Sequence, residues 1–235
     1  MKKITILTAI AGLTLGASLA YGYTVDGGGV VGSKHDMNEL SGAAPDSLGR
    51  VCAFCHTPHH KLEATELDYN PLWSHTINVD TSFASYETVT FNSTIAGDPL
   101  AGPSRLCMSC HDGVIAVDQH YSAGGTALGG KITADGFGDI AVGKFSDLSN
   151  DHPIGFDLNN IWTTDPGIRQ TLLTPGNNKI ADNAAITTLG FNNGAGQLLM
   201  TCASCHDVHN KDNVDTAFLY EKQMDSQFCV MCHDK

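Results

Sequence analysis

The sequence predicts a single domain of mostly irregular coil with a few short helices, built around something other than its own side chains. Three observations predict this. Charged residues make up 16% of the 235 and aromatics 7%, against about 25% charged in an ordinary soluble domain, so large rings for a conventional core are scarce. Turn formers recur throughout: Gly27 to Gly29, Gly124-Gly125, Gly129-Gly130, Pro175-Gly-Asn-Asn and Asn192-Asn-Gly-Ala-Gly interrupt any helical or strand periodicity. All eight cysteines fall in four copies of one short pattern. Loops this long would ordinarily count against a compact domain, unless a non-protein core organises them.

Residues 1–22 read as a secretory signal peptide, with Lys2 and Lys3 ahead of the apolar run Ile4 to Leu19 and small residues at Ala20 and Gly22. The run is too short and wrongly flanked for a spanning helix, and no second stretch approaches 18 apolar residues. Residues 23–235 are then the mature domain, with no membrane span. Lys+Arg 13 against Asp+Glu 25 gives a charge of -12, which excludes a general binder of nucleic acid or anionic lipid. In an exported chain cysteines ordinarily pair as disulfides.

The cysteines stand as Cys52-Ala-Phe-Cys55-His56, Cys107-Met-Ser-Cys110-His111, Cys202-Ala-Ser-Cys205-His206 and Cys229-Val-Met-Cys232-His233. Cys-x-x-Cys-His is the attachment signature of covalent c-type haem. Two thiols three residues apart lie on one side of a helical turn and reach the two vinyl groups of a haem edge, while the following His supplies the proximal iron ligand. A disulfide scaffold leaves no reason for a His after every second Cys. A zinc ribbon accounts for paired cysteines but not for the fourfold His in an exported chain. The pattern therefore predicts four haem c groups held by Cys52, Cys55, Cys107, Cys110, Cys202, Cys205, Cys229 and Cys232, with His56, His111, His206 and His233 as proximal ligands.

Seven of the 11 histidines remain. Met108 and Met231 lie inside attachment loops, leaving Met37, Met200 and Met224 as the alternative, so bis-histidine iron is expected throughout, with the lower potentials this brings. The distal candidates are His35, His59, His75, His152 and His209, five for four irons. His59 and His209 follow His56 and His206 by three residues, and a ring on the same turn cannot reach the opposite face of the same haem. Each must serve a neighbouring iron. Only 22 residues separate His206 from Cys229, which pairs the third and fourth haems and makes His209 the expected ligand of the fourth. His59 is left to the second haem or to a haem of another copy. Pro153 biases His152 toward extended backbone, Trp73 beside His75 offers a ring to a porphyrin, and ligation by His35 would tie down a terminal segment. His60 and His120 are read as structural or solvent-facing.

The intervals of 50, 90 and 22 residues between attachment motifs repeat a motif, not a domain. Short helices are expected over Cys107 to Asp118 and Met224 to His233, and at most a short strand over Tyr86 to Phe91. The haem faces would be covered by Phe54, Trp73, Phe83, Phe91, Leu106, Ile115, Phe145, Phe156, Trp162, Phe191, Phe218 and Phe228.

Cys52-Ala-Phe-Cys-His-Thr-Pro-His, Pro71-Leu-Trp-Ser-His, Leu106-Cys-Met-Ser-Cys-His-Asp-Gly, Leu148-Ser-Asn-Asp-His-Pro-Ile-Gly, Cys202-Ala-Ser-Cys-His-Asp-Val-His-Asn and Phe228-Cys-Val-Met-Cys-His together resemble the multihaem cytochromes of metal-reducing bacteria. With four motifs in this length, the chain resembles the OmcE-like tetrahaem outer-surface cytochromes. That resemblance implies a multihaem cytochrome c fold around four stacked haems and extracellular electron transfer at the cell surface. It also implies redox partner cytochromes and acceptors such as metal oxides, and in some members self-association into filaments where a distal His, here His59, serves the adjacent subunit. A soluble periplasmic or extracellular shuttle is the alternative. A multihaem reductase of nitrite, tetrathionate or a similar oxyanion would need an open iron and a cationic pocket, and only Arg50, Arg105 and Arg169 are present. A haem-bearing adhesion scaffold is the third reading.

Overall fold

The computed structural model describes residues 29–58, 67–78, 83–95, 98–122, 126–133, 141–174, 180–209 and 217–235. Residues 1–22, read above as a signal peptide, and His59 and His60 lie outside these. The described chain is mostly coil, as expected. Its helices are α1 (Pro103–His111), α2 (Ile161–Thr164) and α3 (Gln227–Val230), with 3-10 turns at Val51–Phe54, Lys144–Ser146, Ile186–Leu189, Cys202–Ser204 and Met224–Ser226. Two small antiparallel hairpins pair β1 (His120–Tyr121) with β2 (Ala127–Leu128), and β3 (Phe191–Asn192) with β4 (Leu198–Leu199). Among the described residues no helix is long and apolar enough to cross a membrane.

Helix α1 starts four residues earlier than Cys107 and stops at His111. Pro103 in the first turn lacks the N–H that a helix start leaves unpaired, and the Gly102 N–H ahead of it donates to both Asp68 carboxylate oxygens at 2.9 Å. The stop has a local cause: Asp112 Oδ1 accepts the N–H groups of Val114 and Ile115 at 2.8 and 3.3 Å, and Gly113 takes φ +75°. Near the C-terminus left-handed Asp225 and Ser226 split the expected helix into a 3-10 turn and the single-turn α3. Tyr86 to Phe91 forms no strand; the Phe91 N–H turns back to the Thr88 carbonyl at 3.1 Å.

The side-chain core is divided. The largest cluster joins Phe156, Leu158, Ile161, Leu172, Ile186, Leu189, Met200 and Met231. A second holds Met37, Phe54 and Val117, and a third Phe83, Leu100, Met108 and Leu148. Gly155, at φ +80°, lets the first approach the third, since a Cβ there would lie 2.7 Å from Pro99 Cα. Phe145 departs from the expected apolar set, standing 87% exposed with Lys144 Nζ 5.1 Å from its ring centre.

Candidate cofactor attachment sites

Three of the four motifs share one backbone arrangement. In each, the N–H groups of the second Cys and the His both fold back to the carbonyl of the first Cys, at 3.2 and 2.8 Å for Cys52, 3.1 and 3.0 Å for Cys202, and 3.3 and 3.0 Å for Cys229. This tight turn puts both thiols on one side. A distant strap then pairs antiparallel with the His. At the first site Thr57 N–H donates to Leu72 O at 2.8 Å and Ser74 N–H to Cys55 O at 3.0 Å, bracketing a His56–Trp73 bridge. At the third, Asp207 N–H donates to Phe218 O at 2.7 Å and Tyr220 N–H to Cys205 O at 3.2 Å around a His206–Leu219 bridge. At the fourth, Asp234 N–H donates to Gly167 O at 2.8 Å and Arg169 N–H to Cys232 O at 2.7 Å around His233–Ile168.

The strap also sets the imidazole. His56 Nδ1–H donates to Pro71 O at 2.8 Å and His206 Nδ1–H to Ala217 O at 2.7 Å. A carbonyl only accepts, so Nδ1 carries the proton and Nε2 is left with its lone pair for a metal. Leu72 at φ +58° and Phe218 at +60° occupy equivalent left-handed positions that turn these carbonyls toward the ring.

The second site is built on α1. Cys107 and Cys110 sit on successive turns and His111 ends the helix. Arg105, 2% exposed, pairs with Asp98 and fixes the helix from behind. Ser104 Oγ accepts the Cys202 N–H at 3.0 Å, joining this site to the third.

Each of three proximal rings faces a spare one. Ring centres are 6.3 Å apart for His56 and His209, 6.0 Å for His111 and His35, and 6.3 Å for His233 and His152. Separations of this size leave room for one metal ion between the two rings of a pair, since a metal–nitrogen bond is about 2.0 Å. The donor set and spacing thus fit an iron between each pair, and the paired thiols beside them fit haem. Among the described residues no three His, Cys, Asp or Glu side chains converge as a protein-only metal site requires.

His35 is steered from its other side by Phe218, stacked at 4.9 Å and 17°. Its pKa falls to about 4, first through burial and then through His111 and His206. Two expectations change. His209 faces His56 of the first site and not the fourth. Its N–H donates to Asp207 Oδ1 at 3.0 Å and its carbonyl accepts Gly29 N–H at 2.9 Å, which pins the loop to the N-terminal segment. His75 meets no proximal ring; it is fully buried with Nε2 3.4 Å from Cys110 Sγ, and burial drives its pKa to about 4. His59 lies outside the described residues, and His206 faces no spare ring among those described. Met37 and Met200 are buried in the apolar clusters and Met224 is exposed. His120, read as structural or solvent-facing, is structural: 2% exposed, its ring 4.4 Å from that of Phe54.

All eight thiols are free of disulfides, and successive motifs adjoin. A hydrogen bond to Cys202 raises the Cys107 pKa well above the usual thiol range, with Cys110 and Cys55 adding to it, and the same bond lowers Cys202 to about 7. Burial lifts Cys205 to about 12, with Cys232 and Cys202 adding to it. Burial also lifts Cys55 and Cys232, each to about 11. Neither protein-family models nor curated proteins give a match to this chain.

Proposed function

We propose that this chain is an exported tetrahaem c-type cytochrome that carries electrons between a redox partner and an extracellular acceptor, as a subunit of a filament at the cell surface. The observation that carries the reading is the set of three His pairs at 6.0–6.3 Å, each joining a Cys-x-x-Cys-His ring to a spare ring. Bound haem supplies a reversible one-electron iron couple. The chain's residues would do the rest: the thiols would hold the group covalently, the Nδ1–H bonds of His56 and His206 present their Nε2 atoms as ligands, and the paired rings would leave the iron no position open to substrate. The adjoining motifs keep neighbouring groups within short range.

His59 stands to His56 as His209 stands to His206. Because His209 faces His56, His59 is our choice for the position opposite His206, from the same chain or from a second copy. A reductase asks for an open iron among cations, yet Arg50, Arg105 and Arg169 pair with Asp46, Asp98 and Asp234.

The test is holoprotein from a secreting host, examined by intact mass, electron paramagnetic resonance and electron microscopy, beside His59→Ala. Four covalent haems, all low-spin, in filaments are expected, with one of four turning high-spin in His59→Ala. Monodisperse particles would replace the filament by a shuttle. Fewer than four haems, or an open iron in the unaltered protein, would overturn the conductor.

A further inference from the structure

One short surface segment carries a motif that the Cys-x-x-Cys-His sites do not use. Asn92-Ser93-Thr94 is the one place in the 235 residues where an Asn is followed two positions on by Ser or Thr. Asn-x-Ser/Thr without an intervening Pro is the acceptor pattern for N-linked sugar, and it calls for an accessible loop in an exported chain. The segment meets that demand. Asn92 and Thr94 are both exposed. Ahead of them the Phe91 N–H closes a turn on the Thr88 carbonyl at 3.1 Å, and behind them an antiparallel bridge joins Ile95 to Phe156. The triplet is held at both ends with its acceptor open to solvent.

The asparagines of the described chain divide by what their side chains do. Asn38, Asn70 and Asn192 accept main-chain N–H groups through Oδ1. Asn78, Asn159, Asn183 and Asn193 donate through Nδ2 to Asp112, the Gly196 carbonyl, Asp182 and Gln197. A sugar on any of the latter four would take a donor from a loop that uses it. Among the described residues Asn92, Asn150 and Asn160 make no side-chain hydrogen bond. Asn150 is followed by Asp-His and Asn160 by Ile-Trp. An unused amide and a hydroxyl two residues on therefore coincide at Asn92 alone. The Thr94 hydroxyl is equally unused, so an enzyme can engage both groups without unmaking the loop. Val89, three residues earlier, is fully exposed and leaves the approach clear.

We infer that Asn92 carries an N-linked sugar, added after export by a transferase that uses a polyprenyl-diphosphate-linked oligosaccharide. The inference rests on the export reading of residues 1–22 and not on the haem. In the transfer, Asn92 Nδ2 forms a bond to the anomeric carbon of the sugar while that carbon's bond to the diphosphate oxygen breaks. The lipid diphosphate leaves with the electron pair, and one amide proton passes to a base of the transferase. Nothing is oxidised or reduced. A bulky, hydrated group rooted at Asn92 bars the 88–95 segment from contact between copies. In the proposed filament this segment then faces outward.

The experiment is peptide-resolved mass spectrometry of the full chain recovered outside its native host, with Asn92→Gln, Thr94→Val, Thr94→Ser and Ser93→Ala made in the same host. The peptide containing Asn92 should carry added mass that fragments to sugar oxonium ions. That mass should vanish in Asn92→Gln and in Thr94→Val, which keeps the shape of Thr94 but not its hydroxyl. It should persist in Ser93→Ala, whose position the motif leaves free, and in Thr94→Ser at lower occupancy. All four changes lie in the exposed triplet and its middle residue, so equal yields of secreted protein are expected. An unmodified Asn92 peptide in the unaltered protein would overturn the proposal. So would added mass that survives Asn92→Gln on this peptide, since it would then be linked to a hydroxyl. A recovered chain that still begins with residues 1–22 would instead sink the export reading beneath it.

Discussion

The first and second Cys-x-x-Cys-His motifs hold the same residue types by different means. Around His56 a backbone strap 15 residues downstream supplies two main-chain bonds and the acceptor for the ring. Around His111 rigidity comes from nine residues of helix, anchored by the Arg105–Asp98 pair and by Asp112, whose carboxylate also accepts Asn78 Nδ2 at 2.9 Å. The strap resists ring rotation through hydrogen bonds that no side chain needs to provide, whereas the helix depends on particular side chains. The strapped sites should therefore tolerate substitution better than the helical one.

The largest effect should come from deleting thiols. On the haem reading proposed above, Cys107→Ala with Cys110→Ala should remove one covalent group by intact mass and lower the melting temperature more than Cys52→Ala with Cys55→Ala, since α1 adjoins both the first and third sites. Equal losses would erase the distinction. Leu158→Ala, in the main apolar cluster, should cost about 2–5 kcal/mol in chemical denaturation and perturb the neighbouring fourth site before the second. A matched pair of charge removals sharpens the contrast. Arg105→Gln should cost about 2 kcal/mol because the buried guanidinium's bonds are lost and Asp98 is left without its charged partner, while Arg169→Gln, in the more exposed pair with Asp234, should cost under about 1 kcal/mol.

Glycine substitutions should differ in sign. Leu72→Gly relieves a left-handed backbone and should be neutral or stabilising by up to about 1 kcal/mol, whereas Ser109→Gly inside α1 should destabilise by about 0.5–1 kcal/mol. The same sign at both positions would show that the strap carries no strain. The smallest effect is one of pH. Asp46 is held low in the folded protein, above all by the Arg50 guanidinium, so its stabilising contribution is complete above the usual carboxylate value near about 4 and fades as pH falls below it. Acid unfolding of Asp46→Asn should accordingly show a shallower limb at low pH than that of the unaltered chain.

The irregular character of the chain was legible in the sequence, as was the shared local turn of three Cys-x-x-Cys-His motifs, because turn formers and motif spacing are local signals. The straps were not. They act through main-chain groups of Leu72 and Ser74, of Phe218 and Tyr220, and of Gly167 and Arg169, whose side chains share no pattern. Leu72 and Phe218 also adopt a conformation that neither residue type advertises. Nor did short sequence separation choose the partner of His209: the 22-residue interval pointed to the fourth site, but the Asp207 turn and the Gly29 bond carry the ring to the first. His35 and His152 were legible as candidates because each stands alone between turns.

The strap has a consequence for how such a chain can change over time. Its acceptor for the His ring lies 15 residues after the motif at the first site and 11 after it at the third, while at the fourth the strap comes ahead of the motif in the chain. Since only main-chain atoms and a short register must agree, the two pieces form a transplantable part, indifferent to linker length and even to the order in which the ribosome makes them. A lineage could add, lengthen or rearrange loops between the Cys-x-x-Cys-His turns without rebuilding the turns themselves.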